Sequence, residues 1–126
     1  MPLTTVLVED NTTILNSLVP AMAELGGLNV IAVADTAPAA VSMLQEYEDI
    51  WELAVVDLFL KQGSGLTVLR ACQQRSESQH VLVLTNYATD DMRRRCLALG
   101  ADGVFDKSTE LEDFFAQCHA YHPDHF

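Results

Sequence analysis

Five polar residues stand just beyond or at the end of apolar runs: the pair Glu9-Asp10, then Asp57, Thr85 and Lys107. Three carboxylates, a hydroxyl and an ammonium make up a set suited to phosphoryl chemistry. Carboxylates crowded into one place are unfavourable unless a cation neutralises them. Oxygen-only ligands suit a hard ion such as Mg2+, which takes a couple of carboxylates and keeps several waters. Such an ion and Lys107 can neutralise the oxygens of a transferred phosphoryl group, while Thr85 donates a hydrogen bond to it. A carboxylate at the centre can act as nucleophile and form an aspartyl-phosphate. Each residue alone has a plainer reading. An Asp ending a strand is usually a turn or helix cap; a Thr there is more often a cap than a ligand, and a lone Lys is most often solvated. The chemistry rests on what brings the five together.

Each of them ends a strand-like run. Leu53 to Val56 is fully apolar, which suits a strand covered on both faces, and Asp57 stands where it runs out before the turn Lys61-Gln62-Gly63-Ser64-Gly65. Thr4 to Val8 ends in Glu9-Asp10-Asn11, Val81 to Leu84 ends on Thr85, and Val104 to Asp106 delivers Lys107. A further strand runs from Asn29 to Ala34. Helices fill the intervals. The first carries Ile14, Leu15, Leu18, Val19, Met22 and Leu25 at helical spacing, capped by Asn11 or Thr12 and stopped by Gly26-Gly27. Pro20 inside it predicts a kink. The second, capped by Asp35 or Thr36 with Pro38 in its first turn, has Val41, Leu44 and Tyr47 as its stripe. The third starts at Ser64 or Gly65 and turns Leu66, Leu69 and Cys72 inward before a polar loop, Gln73 to Gln79. Thr89 caps the fourth, lined by Met92, Cys96 and Leu99, which leads to the turn Gly100 to Gly103. Thr109 and Glu112 form a capping box for the fifth, which buries Leu111, Phe114, Phe115 and Cys118.

Alternating strands and helices with right-handed crossovers give an α/β fold: a parallel sheet with helices on both faces. For five strands the common doubly wound order is 2-1-3-4-5, with its switch point between strands one and three. Ligands bind there, outside the carboxyl ends of the strands, and the crevice falls between Glu9-Asp10 and Asp57.

The 126 residues fit one domain with a core large enough to need no staples. No apolar run approaches a membrane span, and the chain goes straight into a strand with no signal-like leader. Cys72, Cys96 and Cys118 match no zinc or redox spacing and read as reduced core thiols of a cytoplasmic protein. A net charge of −11 argues against direct binding to nucleic acid or an anionic membrane. The basic cluster Arg93-Arg94-Arg95 steps around its helix, so two of the three belong on a solvated face. Trp51 reads as a packing residue, and His80, at the start of strand four, is not placed as a phosphohistidine donor would be. His119, His122 and His125 have a spacing open to a transition metal, but Pro123 interrupts the helix that would align them and a frayed tail is the better reading.

The pattern as a whole resembles the receiver domain of response regulators in two-component signalling. The resemblance covers nearly the whole chain, residues 1–126, with a core over 3–120 and a tail over 121–126. It is carried by Glu9-Asp10, Asp57 with Gly65 eight residues on, Thr85, Lys107 and the segment Ala98-Leu99-Gly100-Ala101-Asp102-Gly103. It implies a flavodoxin-like (βα)5 fold and a phosphorylation-dependent switch. On that likeness Asp57 accepts a phosphoryl group from a sensor histidine kinase or phosphotransfer protein. Asp10 and Asp57 bind Mg2+ directly, Glu9 binds it through water, and the backbone carbonyl of Phe59 is the remaining protein ligand. Lys107 pairs with the phosphoryl oxygens, and Thr85 moves to bond them. That shift changes the surface of helix four, strand five and helix five for a downstream protein target; a homodimer on that face is compatible with the likeness. Phe59 and Tyr87 occupy positions that tune phosphoryl hydrolysis, and their bulk is expected to hinder attacking water. Such a protein catalyses its own phosphorylation and dephosphorylation and is not otherwise an enzyme.

The sequence departs from the family pattern in four places. Val104 stands where an aromatic usually precedes the lysine by three residues, and Phe105, one residue off, belongs on the opposite face of the strand. Lys61 and Ser108 replace two usual prolines. No output domain follows, as in a single-domain regulator or an excised receiver. Two other functions use the same residues. One is a phosphorylation-independent interaction module, favoured by Val104 and opposed by the intact Asp57, Thr85 and Lys107. The other is a small Mg2+-dependent phosphatase, opposed by Phe59 where a second acid/base carboxylate would stand. A flavin-binding use of the fold lacks a phosphate loop after strand one, and Glu9-Asp10 would repel the cofactor.

Overall fold

The computed structural model describes residues 2–122. Five strands form one parallel sheet: β1 (Leu3–Val8), β2 (Leu28–Ala34), β3 (Leu53–Val56), β4 (His80–Thr85) and β5 (Gly103–Asp106). Their order is β2-β1-β3-β4-β5, as the sequence pattern requires. The helices between them are α1 (Thr12–Gly26), α2 (Ala37–Glu46), α3 (Gly65–Ala71), α4 (Asp90–Ala98) and α5 (Leu111–Ala120).

Alternation along the strands divides the interior into two layers. Val6, Val8, Ala54, Val56, Val81, Val83 and Val104 point to one side, where they meet Ala40 and Leu44 of α2, Val68 and Leu69 of α3, and Cys96 of α4. Leu7, Leu53, Val55, Leu82 and Leu84 point to the other and meet Leu18 and Met22 of α1 and Phe114, Phe115 and Cys118 of α5. β3 and residues 81–84 of β4 are buried on both faces, which is why they read as unbroken apolar runs. All three cysteines are free and buried. Burial pushes the Cys72 thiol up to about 11 and the Cys118 thiol up to about 12. Trp51 is buried in the α2–α4 layer, as its packing role requires.

Four caps form where polar residues precede helices. Asn11 Oδ1 accepts from Ile14 N, Thr36 Oγ1 from Ala39 N, Ser64 Oγ from Leu66 N, and Thr89 Oγ1 from Met92 N. Gly27, at φ 64°, closes α1 with its N–H on the Met22 carbonyl. The helix runs through Pro20, whose side faces solvent.

Several sequence expectations need correction. Leu25 lies on the outside of α1, 56% exposed, because the inward row is Leu18 and Met22. In α2 the buried row is Ala37, Ala40, Met43 and Leu44, with Val41 and Tyr47 at its margin. In α3, Val68 is buried where Leu66 was expected. The capping box at α5 does not form. Glu110 is the N-cap residue and makes no side-chain cap bond. Asp106 Oδ1 takes the Ser108 and Thr109 amides instead, an Asx-type turn that competes with Thr109 for the loop. Among the described residues no helix is long and apolar enough to cross a membrane, and no peptide bond is cis.

Candidate functional site

The sheet's own hydrogen bonding fixes the polar residues at its carboxyl edge. Glu9 N donates to Ala34 O at 2.9 Å, Asp57 N to Val8 O at 3.0 Å, and Lys107 N to Thr85 O at 2.9 Å. Each residue is thus held by the strand beside it, one step beyond the end of its own. A strand-end residue pinned in this way cannot be displaced without opening the ladder. Glu9, Asp57 and Thr85 are buried, at 1%, 8% and 0% exposure.

The side chains converge. Lys107 Nζ donates to Glu9 Oε1 and, at 3.1 Å, to Asp57 Oδ2. Asp57 Oδ1 accepts from Leu58 N at 2.7 Å, and Glu9 Oε2 from Asn11 N at 3.1 Å. Glu9, Asp10 and Asp57 each offer a carboxylate oxygen, and these oxygens lie within 4.8 Å of one another. Burial holds the Glu9 carboxyl above the usual carboxylate range, and the hydrogen bond and charge of Lys107 only partly oppose this. One ammonium against three carboxylates leaves the cluster short of positive charge. The donors are all hard oxygens, so they fit Mg2+. The structure therefore brings together Glu9, Asp10, Asp57 and Lys107, and places Thr85 at the end of β4, where its carbonyl accepts from Lys107 N.

Thr85 Oγ1 accepts from Tyr87 N at 3.2 Å, tying the hydroxyl to the loop after β4. Phe59 and Tyr87, two residues beyond Asp57 and Thr85, meet with ring centroids 4.3 Å apart and planes tilted by 54°. Both are about half exposed, so the contact spans the β3–α3 and β4–α4 loops at the protein surface. Gly65 has a steric reason to be glycine. A Cβ there would lie 2.2 Å from Asp57 O and 2.8 Å from Leu58 Cα. Its N–H donates to Leu58 O at 2.9 Å, so the start of α3 presses directly on the backbone that carries Asp57.

Val104 is buried at 8% exposure, in the layer with α3 and α4. Phe105 faces the opposite layer, as a one-residue step on a strand demands, and meets Phe114 edge-on at 5.8 Å. Lys61 pairs with Asp35 at 3.4 Å in solvent. Of the tail histidines, His119 Nε2 lies 2.6 Å from Leu25 O and His122 Nε2 3.2 Å from Gly26 O, so these nitrogens face the end of α1; His125 lies outside the described residues.

One network has no signal in the sequence. Arg93 donates from Nε to Ala88 O, from Nη1 to Val104 O and from Nη2 to Glu110 Oε1. Its neighbours Arg94 and Arg95 lie in solvent and pair with Asp91. A run of three arginines carries no signal for which one turns inward.

The fold is a doubly wound sheet with an acidic pocket, a lysine and a threonine at its carboxyl edge. The family model for the response regulator receiver domain matches residues 5–119, and the chain belongs to that family. It is 30% identical over 107 residues, 85% of its length, to the photosynthetic apparatus regulatory protein RegA of Rhodobacter capsulatus, of which it covers 56%. The chain spans about half the length of most of the curated relatives it matches. Among solved structures it is similar to a LuxR-family DNA-binding response regulator from Staphylococcus aureus. The TM-score is 0.82 at 16% identity, over 94% of this chain and 98% of that one. It is also similar to a chain of the CheX-CheY-BeF3-Mg+2 complex from Borrelia burgdorferi. There the TM-score is 0.79 at 17% identity, over 93% and 90% of the two chains. At these identities the structural likeness speaks for the flavodoxin-like fold alone.

Proposed function

We propose that the chain is a phosphorylation-dependent switch whose phospho-acceptor is Asp57. One observation carries the reading: a buried strand-end carboxylate, bonded to Lys107, shares its pocket with the carboxylates of Glu9 and Asp10. The donor is a phosphohistidine of a sensor histidine kinase or phosphotransfer protein. An Asp57 carboxylate oxygen attacks phosphorus; the new O–P bond forms as the P–N bond breaks, and the imidazole leaves with the electron pair. Asp10 and Asp57 would hold Mg2+ directly, with Glu9 through water and the Phe59 carbonyl, and the ion would supply positive charge against the phosphoryl oxygens.

Lys107 stays paired with Glu9 and transfers its second donation from Asp57 to a phosphoryl oxygen. Thr85 turns its hydroxyl toward the same group, drawing the β4–α4 loop after it. The phosphoryl group thereby favours one of two arrangements of that loop. The outer face of α4, β5 and α5 changes with it, and that face binds a downstream protein or a second copy of the chain. Switching ends when water attacks phosphorus, the O–P bond breaks, and Asp57 is restored with release of inorganic phosphate. Phe59 and Tyr87 obstruct that water. Acting on itself, the chain has no call for a second acid/base carboxylate, and Phe59 stands where one would be. Family membership and the reduced-thiol composition support a cytoplasmic setting.

The test is intact mass after incubation with Mg2+ and a small phosphodonor. Wild type should gain one phosphoryl group and Asp57→Asn none. An unmodified wild type would favour a phosphorylation-independent interaction module, and turnover of added phosphomonoesters a phosphatase.

A further inference from the structure

Arg93 joins three parts of the chain that the site must coordinate. Ala88, which accepts from Nε at 3.0 Å, lies in the β4–α4 loop three residues beyond Thr85. Val104, which accepts from Nη1 at 3.0 Å, is in β5. Glu110, which accepts from Nη2 at 2.6 Å, starts α5, and the same Oε1 accepts from Asp106 N at 2.9 Å, one residue before Lys107. One guanidinium therefore ties the loop that follows Thr85 to the loop that carries Lys107. The Arg93 and Glu110 side chains are only about a third exposed, at 32% and 30%, whereas those of Arg94 and Arg95 are 75% and 59% exposed.

Val104 gives this latch its importance. Its side chain is buried and has a single short rotor, so it cannot swing between inner and outer positions. What β5 offers the outer face at this point is its carbonyl, and Arg93 holds that carbonyl. The planar fork of Arg reaches three acceptors in different directions, which a lysine ammonium on a flexible stem does not do with fixed geometry. Hydrogen bonds of this kind weaken steeply with misalignment, so a shift of Ala88 with the Thr85 loop separates it from Nε.

We infer that Arg93 is a positioning residue: with Glu110 it latches the Thr85 and Lys107 loops together in the unphosphorylated chain, and phosphorylation releases the latch and frees the first turn of α4. The inference rests on the reading of Asp57 as phospho-acceptor. The Glu110 carboxyl is held below its ordinary range, first by the Arg93 hydrogen bond and then by the Asp106 amide, as expected for a charge kept ionised by this contact.

The experiment combines intact mass with amide hydrogen exchange on the full chain, with Mg2+, before and after addition of a small phosphodonor. In wild type, phosphorylation should speed exchange at residues 88–94 on the order of tenfold, the scale of one lost charge-assisted bond. Arg93→Lys should already exchange on the order of tenfold faster without phosphate, and phosphorylation should add less than about twofold. Glu110→Gln, which keeps an acceptor but loses the charge, should shift the same way by about threefold. It supplies a second readout should the Arg93 variant unfold. Phosphate on wild type with unchanged exchange over 88–94 would overturn the latch alone. So would an Arg93→Lys protein that behaves as wild type. Absence of phosphate on wild type would overturn the latch together with the reading of Asp57.

Discussion

Gly65→Ala is the sharpest single perturbation the structure offers. The added methyl would sit 2.2 Å from the carbonyl oxygen of Asp57 and 2.8 Å from Leu58 Cα. Both are backbone atoms, so no side-chain rotation relieves the contact. Ordinary van der Waals separation requires a relative movement of about 1 Å between the start of α3 and the Asp57–Leu58 peptide. Two energies oppose each other. Alanine improves on glycine in a helix by roughly 0.5–1 kcal/mol, whereas forcing a methyl into packed backbone costs about 1–3 kcal/mol or more. With rigid atoms on both sides the clash sits at the upper end, so the net loss is about 2 kcal/mol. For a domain of this size that lowers the melting temperature by roughly 6–10 °C. The same movement carries Asp57 away from Lys107, now at 3.1 Å, and past the range of a good hydrogen bond. A misplacement of about 1 Å in a reacting group costs about 10²-fold in rate, so phosphate incorporation should fall by that order. The assay is thermal unfolding alongside a time course of intact mass with Mg2+ and phosphodonor. A variant that melts within about 1 °C of wild type and takes up phosphate at the same rate would refute the argument from close packing.

Three further outcomes follow from other parts of the site. Phe59→Asn combined with Tyr87→Ala opens the surface beside Asp57 and should speed loss of the phosphoryl group by about tenfold; a decay rate equal to wild type would dismiss the water barrier. Mg2+ should raise the melting temperature of wild type, by an amount corresponding to about 2.7 kcal/mol at a hundredfold excess over its dissociation constant. Asp10→Asn should abolish most of that gain, and an equal shift in both proteins would remove Asp10 from the ligand set. Glu110 contributes to acid stability with a definite sign. Its carboxyl is lowered from 4.5 in the folded chain, so its contribution is present above that value and is lost as pH falls through the folded value. Melting curves between pH 3 and 6 should therefore fall less steeply at the acid end for Glu110→Gln than for wild type, and parallel curves would contradict the pairing.

Much of this protein is legible in one dimension. The sheet announces itself because β3 and most of β4 are buried on both faces, so their sequences are apolar runs that end at a polar residue. The strand ends therefore mark Glu9, Asp57, Thr85 and Lys107, and the alternation of strands and helices puts those ends on one edge. The period of a strand also separates Val104 from Phe105 without any coordinates. Local rules fail where side chains compete for the same backbone groups or where helix phase decides. Thr109 and Glu112 have the right spacing for a capping box, but Asp106 reaches the loop amides first and Glu110 turns back to the Asp106 amide and Arg93. Leu25 fits a helical stripe yet faces solvent, because α1 meets the sheet through Leu18 and Met22. Gly65 is visible as a residue at a fixed interval, but its reason is a backbone contact between α3 and the peptide after Asp57. Arg93 is the clearest case. Three arginines in succession are equivalent in sequence, and only the packing of α4 beside β5 and α5 turns one of them toward three acceptors from separate segments. The groups available for chemistry can be read along the chain, because burial and periodicity are written locally. Which of them hold one another depends on packing, because a hydrogen bond needs direction and distance between segments far apart in the chain.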